Sequence, residues 1–168
     1  QAFYNAYRHI AFDRIYTSTL KRTHQTAAPF IQHLGADKWT QLLGLDELDW
    51  GLFEGQESTA ETKAAFYKIV TAWANGDLNL RFEGGESPLE VHTRQKEALD
   101  AILTQQKDQQ VLICMHGRAI RLFLCLLLNK DLSEMDNFPH VNLSLYRLKY
   151  ENGKFELLDF NNTDHLNG

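Results

Sequence analysis

The chain has 168 residues, enough for one domain with a sizeable core. Its 17 basic and 22 acidic side chains give a formal charge of −5, which argues against a general nucleic-acid or membrane-surface binder and leaves room for a local basic pocket. No hydrophobic run is long enough to span a bilayer and no signal peptide is visible, so cytoplasmic is the default location.

Ala2, Phe3, Ala6, Tyr7 and Ile10 share one apolar face of a helix that includes Arg8 and His9, with no capping residue before it. Ile15 and Tyr16 predict a short strand. Ser18 or Thr19 then caps a helix that turns Leu20, Ala27, Phe30, Ile31 and Leu34 inward, and Gly35 ends it. Leu45 to Gly55 mixes acids with Leu, Trp and Phe and reads as a structured loop. Ser58-Thr-Ala-Glu61 is a capping box for a helix carrying Phe66, Ile69, Val70 and Trp73. Ser87-Pro-Leu-Glu90 is a second box, and its helix buries Val91, Ala98, Leu99, Ile102 and Leu103. The apolar run from Gln110 to Met115 predicts a buried strand that stops at His116-Gly117, and the apolar stretch beyond suits a buried helix. After Pro139, Leu143, Leu145 and Leu148 suggest a strand, and Asn152-Gly153 turns it into Phe155, Leu157 and Leu158. Strands alternating with helices and closed by a hairpin predict a single three-layer α/β domain over residues 1–168.

A strand entering a helix through His116-Gly117 puts an imidazole at the carboxyl edge where open α/β sheets bind ligands. Gly117 lets a ligand approach the backbone, and the first amides of the helix suit an anion. A core strand that ends in His by chance fits the same residues. Arg22, in the first turn of its helix, opposes the helix dipole unless an anion lies nearby; a solvated arginine is the alternative. Glu47, among Leu45, Leu48 and Trp50, is either a half-buried carboxylate able to move a proton or an acid left in water. The helix start explains Glu86 and Ser87 structurally.

The 7 histidines include no His-Glu-x-x-His, and His24 and His33 are not neighbours on one helix face, so no metal site is expected. His9, His92 and His140 read as surface or cap residues, His165 as part of a tail-fixing segment. Cys114 and Cys125 lie in apolar segments and read as reduced core thiols.

Taken together, Tyr16-Thr-Ser18-Thr-Leu-Lys-Arg22-Thr-His-Gln-Thr-Ala27, Leu45 to Gly55, Gly84-Gly-Glu-Ser87 and His116-Gly117 resemble the histidine phosphatase superfamily, the phosphoglycerate-mutase-like fold. Order and spacing agree from residue 1 to about residue 166. The resemblance implies an α/β/α sandwich with a mostly parallel central sheet, and two-step phosphoryl transfer through a phosphohistidine. Arg22, His116 and Gly117 would bind phosphate, with His116 catalytic as a donor. Glu47 would be the acid/base, and Trp50 and Arg118 would lie near substrate. No cofactor, metal, nucleic acid or membrane is implied; the partner is a small phosphorylated substrate, and oligomeric state is unknown.

One family motif is missing. Its nucleophile lies in an N-terminal Arg-His-Gly after the first strand, and Arg8-His9-Ile10 is not that motif. The expectation is a longer gene product whose first strand and nucleophile loop precede Gln1, with residues 1–168 alone inactive. The segment from Gln56 to Glu83 offers only Lys63, Lys68 and Arg81 as cations, fewer than a mutase needs for a second anionic group. A phosphomonoester phosphatase is therefore expected, ahead of a phosphomutase or a non-catalytic phosphate-binding member.

Overall fold

The β-branched and aromatic residues of Arg14–Thr17 build the central strand, β1, of a computed structural model that describes residues 1–105 and 109–167. β1 lies between β2 (Trp39–Gln41) and β3 (Val111–Cys114), and both pairings are parallel. Ile15 is in register with Trp39 on one side and Leu112 on the other. Successive side chains of a strand face opposite ways, so Ile15 and Tyr16 seed different layers. Ile15 and Leu112 pack on Ala27, Phe30 and Ile31 of α2 (Lys21–Leu34), with Phe3 and Tyr7 of α1 (Ala2–Tyr7) behind them. Tyr16 packs with Leu45, Ala98, Ile102 and Phe123, beneath α4 (Pro88–Leu103) and α5 (Gly117–Leu127). Helix α3 (Ala60–Ala74) adds Ile69 and Trp73 to a further cluster with Val91, Leu122 and Met135. The result is a three-layer α/β/α sandwich on a parallel central sheet.

A hairpin of β4 (Leu145–Glu151) and β5 (Lys154–Asn162) forms a second, antiparallel sheet. Asn152 (φ 53°) and Gly153 (φ 77°) are both left-handed, as a two-residue turn matched to strand twist requires. Among the described residues, β3 and β4 each keep one edge without a strand partner. Both edges line the same two cavities, of about 680 and 220 Å3.

The winding reverses at β1. The chain leaves it through α2 to reach β2 on one side, and β3 then docks on the other. The carboxyl ends of β1 and β3 therefore open onto the crevice at this switch point.

Several local expectations are corrected. Helix α1 stops at Tyr7, so Arg8, His9 and Ile10 lie beyond it. The N-cap of α2 is Leu20, whose amide bonds the Ser18 hydroxyl oxygen, so Ser18 serves the turn from outside the cap position. Helix α3 is boxed by Thr59 and Thr62, because the Thr62 hydroxyl also reaches the Glu57 carbonyl at 2.7 Å and fixes that register over the Ser58–Glu61 one. The Ser87–Glu90 box of α4 forms as expected. Leu143 precedes β4 with φ 67°, and β2 is too short to carry a periodic signal. Burial pushes the thiols of Cys114 and Cys125 up to about 12, leaving both inert at neutral pH. No described helix is long and apolar enough to cross a membrane.

Candidate active site

Because β1 and β3 are adjacent and in register, the residues after their ends meet. The Ser18 amide donates to the Cys114 carbonyl at 3.2 Å, continuing the ladder one step. The next contact joins side chains, with Ser18 Oγ 2.7 Å from His116 Nε2. From the first turn of α2, Arg22 Nε donates to His116 Nδ1 at 2.9 Å. A guanidinium cannot accept, so Nδ1 is the lone-pair nitrogen, Nε2 carries the proton, and Ser18 accepts from it. The Ser18 hydroxyl is then free to donate to Thr23 Oγ1 at 2.8 Å, which passes its own hydrogen to the Leu20 carbonyl at 2.9 Å. Burial and then the Arg22 charge hold His116 below its ordinary 6.5, consistent with a neutral ring at pH 7. Arg22 is thus aimed through Nε, no bond to a described residue is made by its terminal nitrogens, and the residue lines the larger cavity.

Glu47 lies across the same cavity. Its Oε1 accepts from the Ala119 amide at 2.8 Å, and its Oε2 from the Arg118 amide at 3.2 Å. Two of the first three amides of α5, expected to stand free for an external anion, are therefore held by a carboxylate of the chain itself. This is the position helix termini favour for negative charge.

The loop carrying Glu47 is fastened by Arg94 of α4, a residue sequence reasoning did not single out. Its Nε and Nη2 fork onto the two Glu86 oxygens at 2.8 Å each. Nη1 also donates to the carbonyls of Gly44 and Asp46, both at 3.0 Å, and Nη2 to that of Glu47 at 3.1 Å. Glu86 in turn accepts from the Asp49 amide at 3.0 Å.

The predicted residues divide into two sets. Arg22, Glu47, His116 and Gly117 line one cavity. Trp50 and Arg118 are not among its lining residues. Trp50 sits in an aromatic cluster with Phe53, Phe66, Trp73 and Phe82. Arg118 pairs with Asp136 at 2.5 Å, lies 5.9 Å from the Trp73 ring centre, and is only 12% exposed. His140, read as a surface or cap residue, instead lines the cavity beside Gly117, where its Cδ2 is 2.9 Å from the position a Cβ would take. No periodicity marks it, since it reaches the site through the turn into β4. Among the described residues no cluster of three or more His, Cys, Asp or Glu is placed to hold a metal.

The family description "Histidine phosphatase superfamily (branch 1)" matches residues 1–163. Phosphoserine phosphatase 1 of Hydrogenobacter thermophilus is 30% identical over 156 residues, covering 92% of this chain and 72% of that protein. Two solved structures share the fold. The alpha-ribazole phosphatase of Shigella flexneri has a TM-score of 0.79 at 18% identity, over 96% of this chain and 79% of that one. A mycobacterial glucosyl-3-phosphoglycerate phosphatase in complex with inorganic phosphate has 0.79 at 20%, over 98% and 84%.

Proposed function

The chain belongs to the histidine phosphatase superfamily, and from that premise we propose that it is a phosphomonoester hydrolase that works through a phosphohistidine on a small phosphorylated metabolite. The observation that carries this reading is the convergence of Arg22, His116 and Glu47 on one crevice from three separate segments, with Ser18 bonded to His116 from beneath. The terminal nitrogens of Arg22 would take two phosphoryl oxygens in a fork, with His116 and Gly117 beside them. Once an oxyanion draws Arg22 away from Nδ1, His116 would become a further donor by taking up a proton there, or by moving its proton to Nδ1 while Ser18 Oγ donates to Nε2. Charge develops on those oxygens in the transition state, so preorganised donors supply most of the catalysis.

In the first step an imidazole nitrogen would bond to phosphorus while the ester P–O bond breaks, and Glu47 would protonate the departing oxygen. In the second, Glu47 would take a proton from water, whose oxygen displaces the histidine and releases phosphate. The attacking imidazole would be that of the family's Arg-His-Gly motif, which residues 1–168 do not contain. Support comes from the topology, since a strand entering between the unpaired edges of β3 and β4 would join the two sheets. If it ran parallel to β3, it would deliver its carboxyl end beside Arg22 and His116. Residues 1–168 alone would then bind phosphate without turnover. Trp50 and Arg118 enter this reading as supports of the wall behind Glu47.

Hydrolysis is favoured over phosphoryl return to a bound product. Lys63 and Lys68 are exposed on α3, and Arg81 is paired with Glu90. None of the three lines the crevice. The substrates named for relatives, phosphoserine and alpha-ribazole phosphate among them, differ in all but the phosphate ester.

The test uses the complete gene product. Arg22→Ala or His116→Ala should each slow turnover about 10²–10³-fold, the usual loss for one preorganised donor. Glu47→Gln should slow alkyl phosphates far more than activated aryl phosphates and let acid-labile phosphoenzyme accumulate with the latter. Equal losses on both classes with no phosphohistidine would move the proton-transfer role to Glu54.

A further inference from the structure

The core face of α4 carries Val91, Ala98 and Ile102, and Gln95 falls on the same stripe, one helical turn from both Val91 and Ala98. It is 0% exposed. Its Nε2 donates to the Ala119 carbonyl of α5 at 2.8 Å, and its Oε1 is sealed from solvent with no partner among the described residues. A carbonyl can only accept, so this one bond orients the amide. Ala119 does not need it, because its carbonyl lies inside α5, where the helix ladder supplies a donor. An apolar side chain at position 95 would fill the stripe and leave no buried acceptor unpaired. Packing gives no account of the glutamine; the place of its partner does.

The Ala119 amide is one of those at a helix start with no partner in the ladder, which begins with the Ile120 amide on the His116 carbonyl at 2.8 Å. It donates instead to Glu47 Oε1 at 2.8 Å, and the Leu48 amide reaches the same oxygen at 3.0 Å. Two donors fill the acceptor directions of Oε1. Oε2 has the Arg118 amide alone, at the longer distance of 3.2 Å. Beside Gln95, Arg94 Nη2 donates to the Glu47 carbonyl at 3.1 Å. Consecutive residues of α4 thus grip both ends of Glu47, its backbone directly and its carboxylate through Ala119.

We propose that Gln95 is a positioning residue for proton transfer, holding the start of α5 so that Glu47 is pinned through Oε1 and moves the proton at Oε2. The proposal rests on the hydrolase reading and adds to it which oxygen of the acid works and what keeps it in place. As general acid, Oε2–H gives its proton to the departing alcohol oxygen while the P–O bond breaks. As general base, Oε2 takes a proton from the water whose oxygen bonds to phosphorus.

The experiment uses the complete gene product, with glycerol 2-phosphate, p-nitrophenyl phosphate and inorganic phosphate as probes. Gln95→Met and Gln95→Leu keep the stripe apolar and remove the bond, and both should unfold in urea at a midpoint no lower than wild type. The Ala119 amide should exchange with deuterium about tenfold faster in Gln95→Met, the worth of one hydrogen bond. Turnover of glycerol 2-phosphate should fall about tenfold in kcat with KM within about twofold. First-turnover release of nitrophenolate and the Kd of inorganic phosphate should stay within about twofold of wild type, since neither needs the acid. In a Glu47→Gln background Gln95→Met should cost less than about twofold more on glycerol 2-phosphate, because the carboxylate it positions is gone. Equal slowing of both esters, a full loss added to that of Glu47→Gln, unchanged Ala119 exchange, or a lower midpoint in both variants would overturn the proposal. Wild-type protein that hydrolyses neither ester would refute the hydrolase reading and the proton-transfer role with it, while the exchange rate reads the link from Gln95 to Glu47 separately.

Discussion

Replacing Arg94 by methionine keeps much of the side chain's length and removes its charge and every donor. The carboxylate of Glu86 loses its fork, and the carbonyls of Gly44, Asp46 and Glu47 lose their bonds. Arg94 and Glu86 side chains are 17% and 27% exposed, so water partly screens the pair and its own contribution is about 1 kcal/mol. Each abandoned carbonyl costs about 1 kcal/mol or more where water cannot replace the donor. With water recovering part of this, the expected destabilisation is about 3 kcal/mol. Arg94→Lys keeps the charge but cannot serve the fork and three carbonyls at once, and should lose roughly half as much. Urea unfolding at pH 7 reads both as a fall in midpoint at unchanged slope. A double-mutant cycle with Glu86→Gln should return a coupling of about 1 kcal/mol. If Arg94→Met unfolds within about 0.5 kcal/mol of wild type, the loop bearing Glu47 is not held this way and the reasoning fails.

Two further outcomes follow from the same geometry. Gly44→Ala should cost about 1–3 kcal/mol in urea unfolding, because the added methyl would collide with the Arg94 carbonyl and lie 2.6 Å from the Ala98 Cβ. His116 and His140 are both held below their ordinary 6.5, so as pH falls the unfolded chain takes up protons first. Stability present above that value should decline on acidification below it, by at most about 1.4 kcal/mol per pH unit for each ring. The His116→Gln/His140→Gln protein should show a flatter decline, and stability that rises on acidification over this range would contradict the assignment.

Local chemistry wrote the parts of the fold that were legible in the sequence. The strand before His116-Gly117, the Ser87–Glu90 box and the Asn152-Gly153 turn each depend on residues within a few positions of one another. The choice of Thr59 over Ser58 as cap does not, since both hydroxyls could serve and the Glu57 carbonyl decides between them. β2 escaped because three residues, Trp39 to Gln41, cannot display an alternation. Arg94 looked like any arginine on a helix face. Besides Glu86, its partners are carbonyls 47 to 50 positions away, and a carbonyl leaves no mark on the side-chain pattern.

The candidate site was legible only where a side chain's type announces its chemistry. His116 and Arg22 could be singled out by their places at a strand end and a helix start, yet the bond between them reverses the expected polarity. Arg22 donates to His116, so the unliganded imidazole is an acceptor and the guanidinium is the group left facing the crevice. The same inversion holds at the start of α5. Its amides were expected to wait for an external anion, but Glu47 takes Arg118 N and Ala119 N, and the helix dipole is spent on orienting a carboxylate. On the proposed reading, an incoming phosphoryl group would draw its charge neutralisation mainly from the fork of Arg22 rather than from the helix. Arg22→Lys, with the charge kept and the planar fork removed, tests that reasoning: it should behave close to Arg22→Ala in turnover, whereas a helix-centred anion site would leave it near wild type.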